Sequence, residues 1–377
     1  MPTAHTVERT FVGLGSPTAG RAGAGGHQCQ GIYHAPEAVR PKTAFIATHY
    51  NVDFSEHYLA EHLAARGFGF LGWNTRFRGA EAYFLLDRAI ADIGLGMRWL
   101  EHHGVDRIVL LGNSGGGSLM AAYHSQSQQL TMQPAQGRAL AEGLDELPRA
   151  DMFVFVAAHP GRPEVLTDWM DPSLVVEDDP LSRDPELDMY DERHGPPYSA
   201  EFVDRYRAAQ HARNDRLTAR CRARLAELNA AGLDDQLFVM RRTWADLRFV
   251  DGSLDPSARA TPLCYAGNPK RANDGVLGIG TVNTLRTWLD MWSLRDSQCR
   301  GALHLPRLDL PTLLIQPDAD CGVFPSQART IFDAVGSADK EYVTMPGDHY
   351  FVADATLRPA VADRIVAWLA DHGVTAH

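Results

Sequence analysis

Short apolar runs typical of buried strands alternate with helical patterns along most of this chain, and this alternation limits the possible folds more than any other feature. The strand-like runs cover residues 43–48, 67–73, 107–112, 152–157, 311–316 and 341–345. Helical patterns cover residues 55–66, 83–100, 115–127, 326–335 and 357–371, and the first opens on Ser55 as an N-cap. This order predicts an α/β fold with a doubly wound, mostly parallel sheet, whose ligands bind at the carboxyl ends of the strands.

Two intervals depart from the alternation. Residues 7–36 carry two short apolar runs on either side of a glycine-rich stretch at 20–26, which favours a hairpin-like opening of the chain. Between His159 and about Leu305 the pattern is mainly helical and is interrupted by Pro and Asp. For a chain of 377 residues we therefore predict a core domain of residues 1–160 and 305–377 with an inserted helical cap of residues 161–304.

The composition excludes several kinds of partner. A formal net charge of −11 disfavours nucleic acid, because binding to its backbone needs clustered Lys and Arg. The chain has no run of 18 apolar residues and no basic-then-apolar start, so we expect no membrane association and a soluble, cytoplasmic protein. Five scattered cysteines lack metal-ligand spacing, and we expect neither a metal nor an organic cofactor. The expected partner is a small-molecule substrate; the oligomeric state stays open, a homodimer being one alternative.

The segment Gly112-Asn113-Ser114-Gly115-Gly116 lies where an apolar strand ends and a helix begins. A G-x-S-x-G turn in that place holds its serine in a strained conformation with Oγ exposed, and its glycines are needed because neighbouring backbone passes close by. The turn also directs the N–H of Gly115 toward the oxygen of a tetrahedral intermediate. Ser114 is therefore the candidate nucleophile, and Gly115 supplies half of a candidate oxyanion hole.

An ordinary strand-to-helix turn with a serine N-cap predicts no acid and histidine downstream, yet both are present. A serine hydroxyl needs a histidine to take its proton, and the histidine needs a carboxylate beside it. Asp318 and Asp320 follow the strand at 311–316, and His349 follows the next strand, so His349 is the candidate base. We expect its neighbour Asp348 to hydrogen-bond within the loop.

By these residues the chain resembles the α/β-hydrolase superfamily over residues 1–160 and 305–377, while the cap resembles no family. The resemblance implies an acyl-enzyme mechanism. It favours Asp320 over Asp318, because the acid of this superfamily stands just before an x-x-Val-x-Pro lead into a helix. Haloalkane dehalogenases and epoxide hydrolases differ in using Asp as the nucleophile. Haloperoxidase-like members usually carry an aromatic residue near the serine, whereas this turn is rich in glycine.

In this superfamily a second oxyanion N–H comes from the loop after the third strand, here His49-Tyr50-Asn51. Tyr50 and Asn51 are both candidates, and we favour Asn51. His49 is a candidate substrate-binding residue, although a role in holding the loop is favoured over direct chemistry. Loops after two further strands place Arg76 and His159 at the edge of the pocket.

The predicted cap contributes further candidates. Trp169 and Trp244 are candidate substrate-binding residues in an apolar tunnel, although such clusters more often hold a small subdomain together. The same two interpretations apply to Trp288, Trp292, Met170, Met240 and Met291. A helical stretch at 200–229 carries seven arginines, which favours a solvated face over a dock for a carboxylate or phosphate.

Together these residues predict a serine hydrolase that cleaves a carboxylic ester, lactone or thioester of a small, largely apolar substrate through an acyl-enzyme. Two alternatives remain. The Gly-Asn-Ser-x-Gly-Gly turn is similar to that of hydrolases that cleave carbon–carbon bonds in meta-ring-fission products. The fold also serves as a non-catalytic ligand-binding module, although the triad is then often damaged.

Overall fold

A computed structural model describes residues 5–15 and 28–377 of the chain. Its strands are β1 (Val7–Gly13), β2 (Gln30–Pro36), β3 (Thr43–Ala47), β4 (Gly69–Asn74), β5 (Arg107–Ser114), β6 (Met152–Ala158), β7 (Leu237–Val239), β8 (Val282–Thr284), β9 (Thr312–Pro317) and β10 (Lys340–Met345). Eight of them form one sheet in the order β1-β2-β4-β3-β5-β6-β9-β10. β7 and β8 form a separate antiparallel pair.

The pairing of the large sheet is mostly parallel. β1 runs antiparallel to β2, and β2 runs antiparallel to β4. From β4 through β3, β5, β6 and β9 to β10, every neighbouring pair is parallel. The predicted doubly wound, mostly parallel sheet is therefore confirmed. β1 and β2 pair from Val7 opposite Pro36 onward, which is the predicted hairpin-like opening; the glycine-rich stretch at 20–26 lies outside the described residues.

Helices connect the strands on both faces of the sheet. They are α1 (Ala60–Ala64), α2 (Leu86–His102), α3 (Gly116–Gln128), α4 (Arg162–Trp169), α5 (Ala200–Ala230), α6 (Pro269–Asn273), α7 (Leu285–Thr287), α8 (Gly301–His304), α9 (Pro325–Ala334) and α10 (Leu357–Asp371). Within residues 5–15 and 28–377, none of the helices is long and apolar enough to cross a membrane.

The core is divided by the sheet. Successive residues of a strand point to opposite faces, so one strand supplies both halves of the core. Leu110 of β5 packs in the cluster that includes Met97 of α2, whereas its neighbour Val109 packs in the cluster that includes Ile365 of α10. Helices thus cover both faces, as a buried parallel sheet requires.

The first two helices begin later than the sequence predicts. α1 starts at Ala60, and its N-cap is Leu59 rather than Ser55. Ser55 instead takes part in a turn in which its N–H donates to Asp53 Oδ1 at 2.8 Å, and such local side-chain bonds compete with helix formation. α2 starts at Leu86, after a 3₁₀ turn at Glu81–Tyr83.

Residues 159–311, between β6 and β9, contain α4 to α8, the β7–β8 pair and a π-helical turn at Trp288–Trp292. The longest element is α5, with 31 residues, and its N-cap Ser199 accepts a hydrogen bond from the N–H of Phe202 at 3.2 Å. The segment is mainly helical, as the sequence pattern indicated. Its division from the core at residues 161 and 304 stays a prediction.

Candidate active site

The turn between β5 and α3 has the geometry that the G-x-S-x-G segment predicts. Ser114 ends β5 with φ of +54°, a left-handed conformation that is rare for a residue other than glycine. A Cβ atom on Gly116 would lie 2.3 Å from the carbonyl oxygen of Thr48, and one on Gly112 would lie 2.7 Å from Cα of Gly117. The turn therefore needs small residues here, and the strain at Ser114 is held by the strands around it.

His349 and Asp320 form a buried pair on the loops that follow β10 and β9. Nδ1 of His349 lies 2.7 Å from Oδ2 of Asp320, and the two residues are 2% and 1% exposed. Oδ1 of Asp320 accepts hydrogen bonds from the N–H groups of Gly322 and Val323 at 2.9 and 3.0 Å. Because a carboxylate faces Nδ1, we assign the proton to Nδ1, which leaves Nε2 as an acceptor.

The two other acidic residues of these loops have structural contacts. Asp318 Oδ1 accepts a hydrogen bond from the N–H of Gly347 at 3.1 Å, so it ties one loop to the other. Asp348 accepts from the N–H groups of Tyr350, Val352 and Ala353, which is the loop role expected for it. The carboxylate on His349 is thus that of Asp320.

A third residue touches the His349–Asp320 pair. The hydroxyl of Tyr265 lies 3.2 Å from Oδ1 of Asp320 and 2.9 Å from Nδ1 of His349. Tyr265 belongs to the segment between β6 and β9, and its ring centre is 4.5 Å from that of His349. Sequence reasoning missed it, because no spacing or motif distinguishes this tyrosine among the eleven of the chain.

In the described part of the chain no hydrogen bond joins Ser114 to His349, and His159 is the residue next to both. The carbonyl oxygen of Ser114 accepts from the N–H of His159 at 2.9 Å, and the ring of His159 lies 6.3 Å from the ring of His349. In ligand-free sites a serine–histidine hydrogen bond is often long and tightens only with bound substrate.

The loop after β3 lies against the serine turn. Nδ1 of His49 accepts from the N–H groups of Asn51 and Val52 at 3.4 and 3.3 Å, so its proton is assigned to Nε2. The ring packs on the serine turn, since a Cβ atom on Gly115 would lie 2.8 Å from Nε2 of His49. His49 thus holds this loop, which is the role favoured from the sequence.

The same contacts bear on the two oxyanion candidates. The N–H of Asn51, which the sequence analysis favoured, is turned toward His49. Over residues 5–15 and 28–377, the N–H groups of Tyr50 and Gly115 have no acceptor. The geometry therefore disagrees with the preference for Asn51 and leaves Tyr50 as the better-placed donor, because the histidine of the loop captures the later N–H.

A buried cation stands beside this loop. Arg162, the first residue of α4, is 5% exposed, and its guanidinium lies 4.7 Å from the ring centre of Tyr50. Nη2 donates to Oδ1 of Asn51 at 3.1 Å and lies 3.4 Å from Oε1 of Glu81. Burial lowers the pKa of Arg162 and raises that of Glu81. Sequence reasoning missed both residues, although Arg162 shares the loop of the candidate His159.

Burial keeps His49 and His159 neutral. It is the main cause that lowers the pKa of His49 well below its usual value, and Arg162, His159 and His349 lower it further. Burial also lowers the pKa of His159, with His349 and Arg162 adding to the effect. Nδ1 of His159 is buried without a hydrogen-bond partner in the described residues.

The structure separates the remaining candidates. Trp169 lies at the site, with its ring centre 5.9 Å from that of His159, and Trp244 stacks behind it at 5.0 Å. Arg76 does not extend into this space: its guanidinium is bonded to the buried carboxylate of Asp92, with Nη2 2.6 Å from Oδ1. The loop after β4 sends this side chain back to α2, so its predicted contact with substrate is not supported.

The other aromatic and arginine candidates have packing roles. Trp288, Trp292, Met170, Met240 and Met291 belong to the large core cluster on one face of the sheet. The arginines of α5 mostly pair with acidic side chains of the same chain, and the pairs involve Arg207, Arg213, Arg220, Arg222 and Arg224. Five of the seven arginines, Arg205, Arg216, Arg220, Arg222 and Arg224, are exposed, so α5 presents a solvated face with ion pairs, as favoured from the sequence, rather than a free anion dock.

Comparison with known proteins gives the fold. No family model and no curated protein matches this sequence. DcsB, solved with its substrate analogue, is 14% identical, with 97% of this chain and 99% of that chain covered and a TM-score of 0.54. The alpha/beta hydrolase GrgF from Penicillium sp. sh18 is 11% identical, with coverages of 97% and 99% and a TM-score of 0.53.

An esterase domain from a Rhodothermus marinus protein is 12% identical, with coverages of 97% and 98% and a TM-score of 0.48. At identities this low, likeness shows architecture rather than activity. The likeness to GrgF and the order of the eight strands show that the chain has the α/β-hydrolase fold, as the sequence resemblance implied.

Proposed function

We propose that this protein is a serine hydrolase that cleaves a carboxylic ester, lactone or thioester of a small, largely apolar substrate. The observation that carries the proposal is the buried His349–Asp320 pair, bonded at 2.7 Å, at the same end of the sheet as the strained Ser114. A serine held at positive φ costs stability, and such strain is characteristic of functional sites. A neutral packing role explains neither the strain nor the position of the pair.

In the proposed reaction, Oγ of Ser114 attacks the carbonyl carbon while its proton passes to Nε2 of His349. The carboxylate of Asp320 stabilises the imidazolium that forms. His349 then gives the proton to the leaving oxygen or sulfur, and the acyl group stays on Ser114. Water attacks this acyl-enzyme with His349 as the base, and the proton finally returns to Oγ.

The N–H groups of Gly115 and Tyr50 are the proposed oxyanion donors. Gly115 stands at the N-terminus of α3, where the helix dipole favours negative charge. Tyr50 is the revised choice, because the N–H of Asn51 is engaged by His49. The ring of Trp169, together with His159, forms the apolar and polar sides of the proposed substrate pocket. We also propose that residues 161–304 act as the cap over it.

Hydrolysis of simple aryl esters tests the proposal. Wild-type protein should hydrolyse short-chain nitrophenyl esters, and Ser114→Ala should lose at least about 10³-fold in kcat/KM, because it removes the proposed nucleophile. Ser127→Ala is the control, since Ser127 lies on α3 and its hydroxyl donates to the carbonyl of His124. Equal loss in both variants would show that the effect is on folding.

The same assay separates the two alternatives. A vinylogous 1,5-diketone in parallel detects carbon–carbon bond hydrolysis, and turnover of that compound alone would favour the chemistry of ring-fission products over ester cleavage. Binding of either compound without any turnover, by folded protein, would favour a non-catalytic ligand-binding module.

A further inference from the structure

Tyr265 is placed to act on the acid–base pair from outside the core sheet. Its hydroxyl is the third donor within hydrogen-bond distance of Asp320 Oδ1, beside the N–H groups of Gly322 and Val323. It belongs to the segment between β6 and β9, whereas Asp320 and His349 follow β9 and β10. The position of this segment therefore decides whether the hydroxyl reaches the pair.

The fit around the tyrosine ring is close. The ring lies 4.5 Å from that of His349 and 5.7 Å from that of Trp169, measured between ring centres. A Cβ atom on Gly322 would lie 2.2 Å from Cζ of Tyr265, so only glycine leaves room for the ring at that position. Gly322, two residues after Asp320, thus leaves room for the side chain of Tyr265, which comes from a distant segment.

We propose that Tyr265 is a positioning residue, which donates to Oδ1 of Asp320, fixes the orientation of this carboxylate beside His349, and couples the segment between β6 and β9 to the catalytic base. This inference rests on the proposed function, because it assigns a role at the same site. Tyr265 thereby joins Ser114, Asp320 and His349 as a fourth residue of the proposed site, and the sequence motifs that indicate the other three do not include it.

The direction of the effect follows from charge. A hydroxyl that donates to Asp320 spreads the negative charge that stabilises the imidazolium form of His349. Without the hydroxyl the carboxylate holds the imidazolium more strongly, so a rate that needs neutral His349 should reach its plateau at higher pH. Burial, with Asp320 adding to it, raises the pKa of Tyr265 well above its usual value, so the hydroxyl remains a donor at all working pH values.

Between pH 6 and 9, burial holds several other titratable groups near His349 in one protonation state. His159 and His49 stay neutral because burial lowers their pKa values. Burial raises the pKa values of Tyr58 and Tyr350. It also raises the pKa of Cys321 to about 12. The Asp348 carboxylate accepts from N–H groups of its own loop. A change in this pH range therefore reports the His349–Asp320 pair.

The rate of phosphonylation by a fluorophosphonate, measured from pH 5 to 9, tests the inference without knowledge of the substrate. In Tyr265→Phe we expect the acidic limb of the rate profile to move up by about half a pH unit and the rate at pH 6 to fall about threefold. Tyr206→Phe is the matched control: it removes a buried hydroxyl of the same segment, which donates to the carbonyl of Ala245 at 2.8 Å and has no contact with the pair in the described residues.

A second variant and a spectroscopic signal separate positioning from folding. Gly322→Ala displaces the ring of Tyr265 while the hydroxyl stays in the chain, and it should move the acidic limb in the same direction. The low-field proton resonance of Nδ1–H in His349 should shift in Tyr265→Phe and stay in place in Tyr206→Phe, at equal thermal unfolding midpoints.

Three outcomes would overturn the role of Tyr265. An acidic limb and a low-field resonance that are unchanged in Tyr265→Phe, while wild type is labelled, would overturn the positioning role and leave the proposed hydrolase intact. A wild-type protein that shows no labelling at any pH would overturn both. Equal displacement in Tyr206→Phe would attribute the effect to general packing of the segment and also overturn the inference.

Discussion

At the scale of single residues, the choice between two nearby carboxylates decides how the base is held. Asp320 receives Nδ1 of His349 at 2.7 Å, whereas Asp318 receives the N–H of Gly347. An Asn at position 320 can present an N–H to Nδ1 and so favours the wrong tautomer of the histidine. An Asn at position 318 keeps an acceptor oxygen for Gly347.

We therefore expect Asp320→Asn to lower kcat by about 10³- to 10⁴-fold and Asp318→Asn to change it by less than about tenfold. Steady-state hydrolysis of one aryl ester by both variants measures this difference. The pair of variants is closely matched, since each replaces one carboxylate oxygen of the same loop. A larger loss in Asp318→Asn would contradict the assignment of the acid.

The sequence predicts these residues to different extents. Ser114 and His349 follow from position alone, because one ends an apolar strand and the other follows the last strand. The preference for Asp320 needed the resemblance to a superfamily. Tyr265 and Arg162 come to the site through folding of the segment between β6 and β9, and no local pattern encodes that approach. The geometry favours Tyr50 over Asn51, the residue preferred from the sequence, because the side chain of His49 engages the N–H of Asn51.

At the scale of elements, the junction between β5 and α3 depends on close backbone packing. The carbonyl oxygen of Thr48, the residue directly after β3, would lie 2.3 Å from a Cβ atom on Gly116. Neither atom can move alone, because the loop that follows Thr48 carries His49 and Tyr50. Any side chain at position 116 therefore displaces the loop with the proposed oxyanion donor.

Gly116→Ala should lower kcat/KM for an aryl ester at least about 100-fold and lower the free energy of unfolding by about 1–3 kcal/mol. Kinetics and denaturant unfolding of the same preparation measure the two effects. Gly104→Ala is the control for the loss of a glycine in general. Gly104 follows α2 at φ of +82° with open space around it, so an alanine there should lower stability without disturbing the site. Normal activity in Gly116→Ala would contradict the packing argument.

The buried strands of the sheet are the elements that the sequence pattern predicts best. All six predicted core strands are present, because a continuous apolar run between turn residues is typical of a strand that is buried on both faces of a sheet. The start of α1 was wrong, since hydrogen bonds around Asp53 and Ser55 outweigh the helical spacing that follows. The β7–β8 pair was not predicted, because three-residue strands carry too little pattern.

At the scale of the whole molecule, buried neutral histidines make stability depend on pH. Burial lowers the pKa of His57 to about 3, and it lowers those of His49 and His159 well below the usual 6.5. Below pH 6.5 the unfolded chain takes up protons at these positions while the folded protein does not. Stability therefore falls as pH decreases from 6.5, and it is independent of these groups above that value.

Each such histidine contributes a slope of about 1.4 kcal/mol per pH unit below pH 6.5. Denaturant unfolding at pH 7.5, 6.0 and 5.0 should therefore show a steep loss of stability. His57→Gln, which cannot take up a proton, should reduce the slope by about 1.4 kcal/mol per pH unit below pH 6.5. His211→Gln on the exposed face of α5 should leave it unchanged, and equal slopes in all three proteins would contradict this account.

The predicted core and the predicted cap differ in how strongly the sequence pattern marks them. The core follows from a repeating strand–helix pattern, whereas residues 159–311 have no repeat, and their packing depends on ion pairs such as Arg213–Glu177 between distant positions. Such pairs form only once the chain is folded, and therefore leave no periodic signal in the sequence.

The most direct test of the central claim is the intact mass of the protein after incubation with a fluorophosphonate, for wild type and Ser114→Ala in parallel. The account predicts a single adduct on wild type, mapped to Ser114 by peptide mass, and none on Ser114→Ala. A folded wild-type protein that stays unmodified, or an adduct that persists in Ser114→Ala, would contradict it.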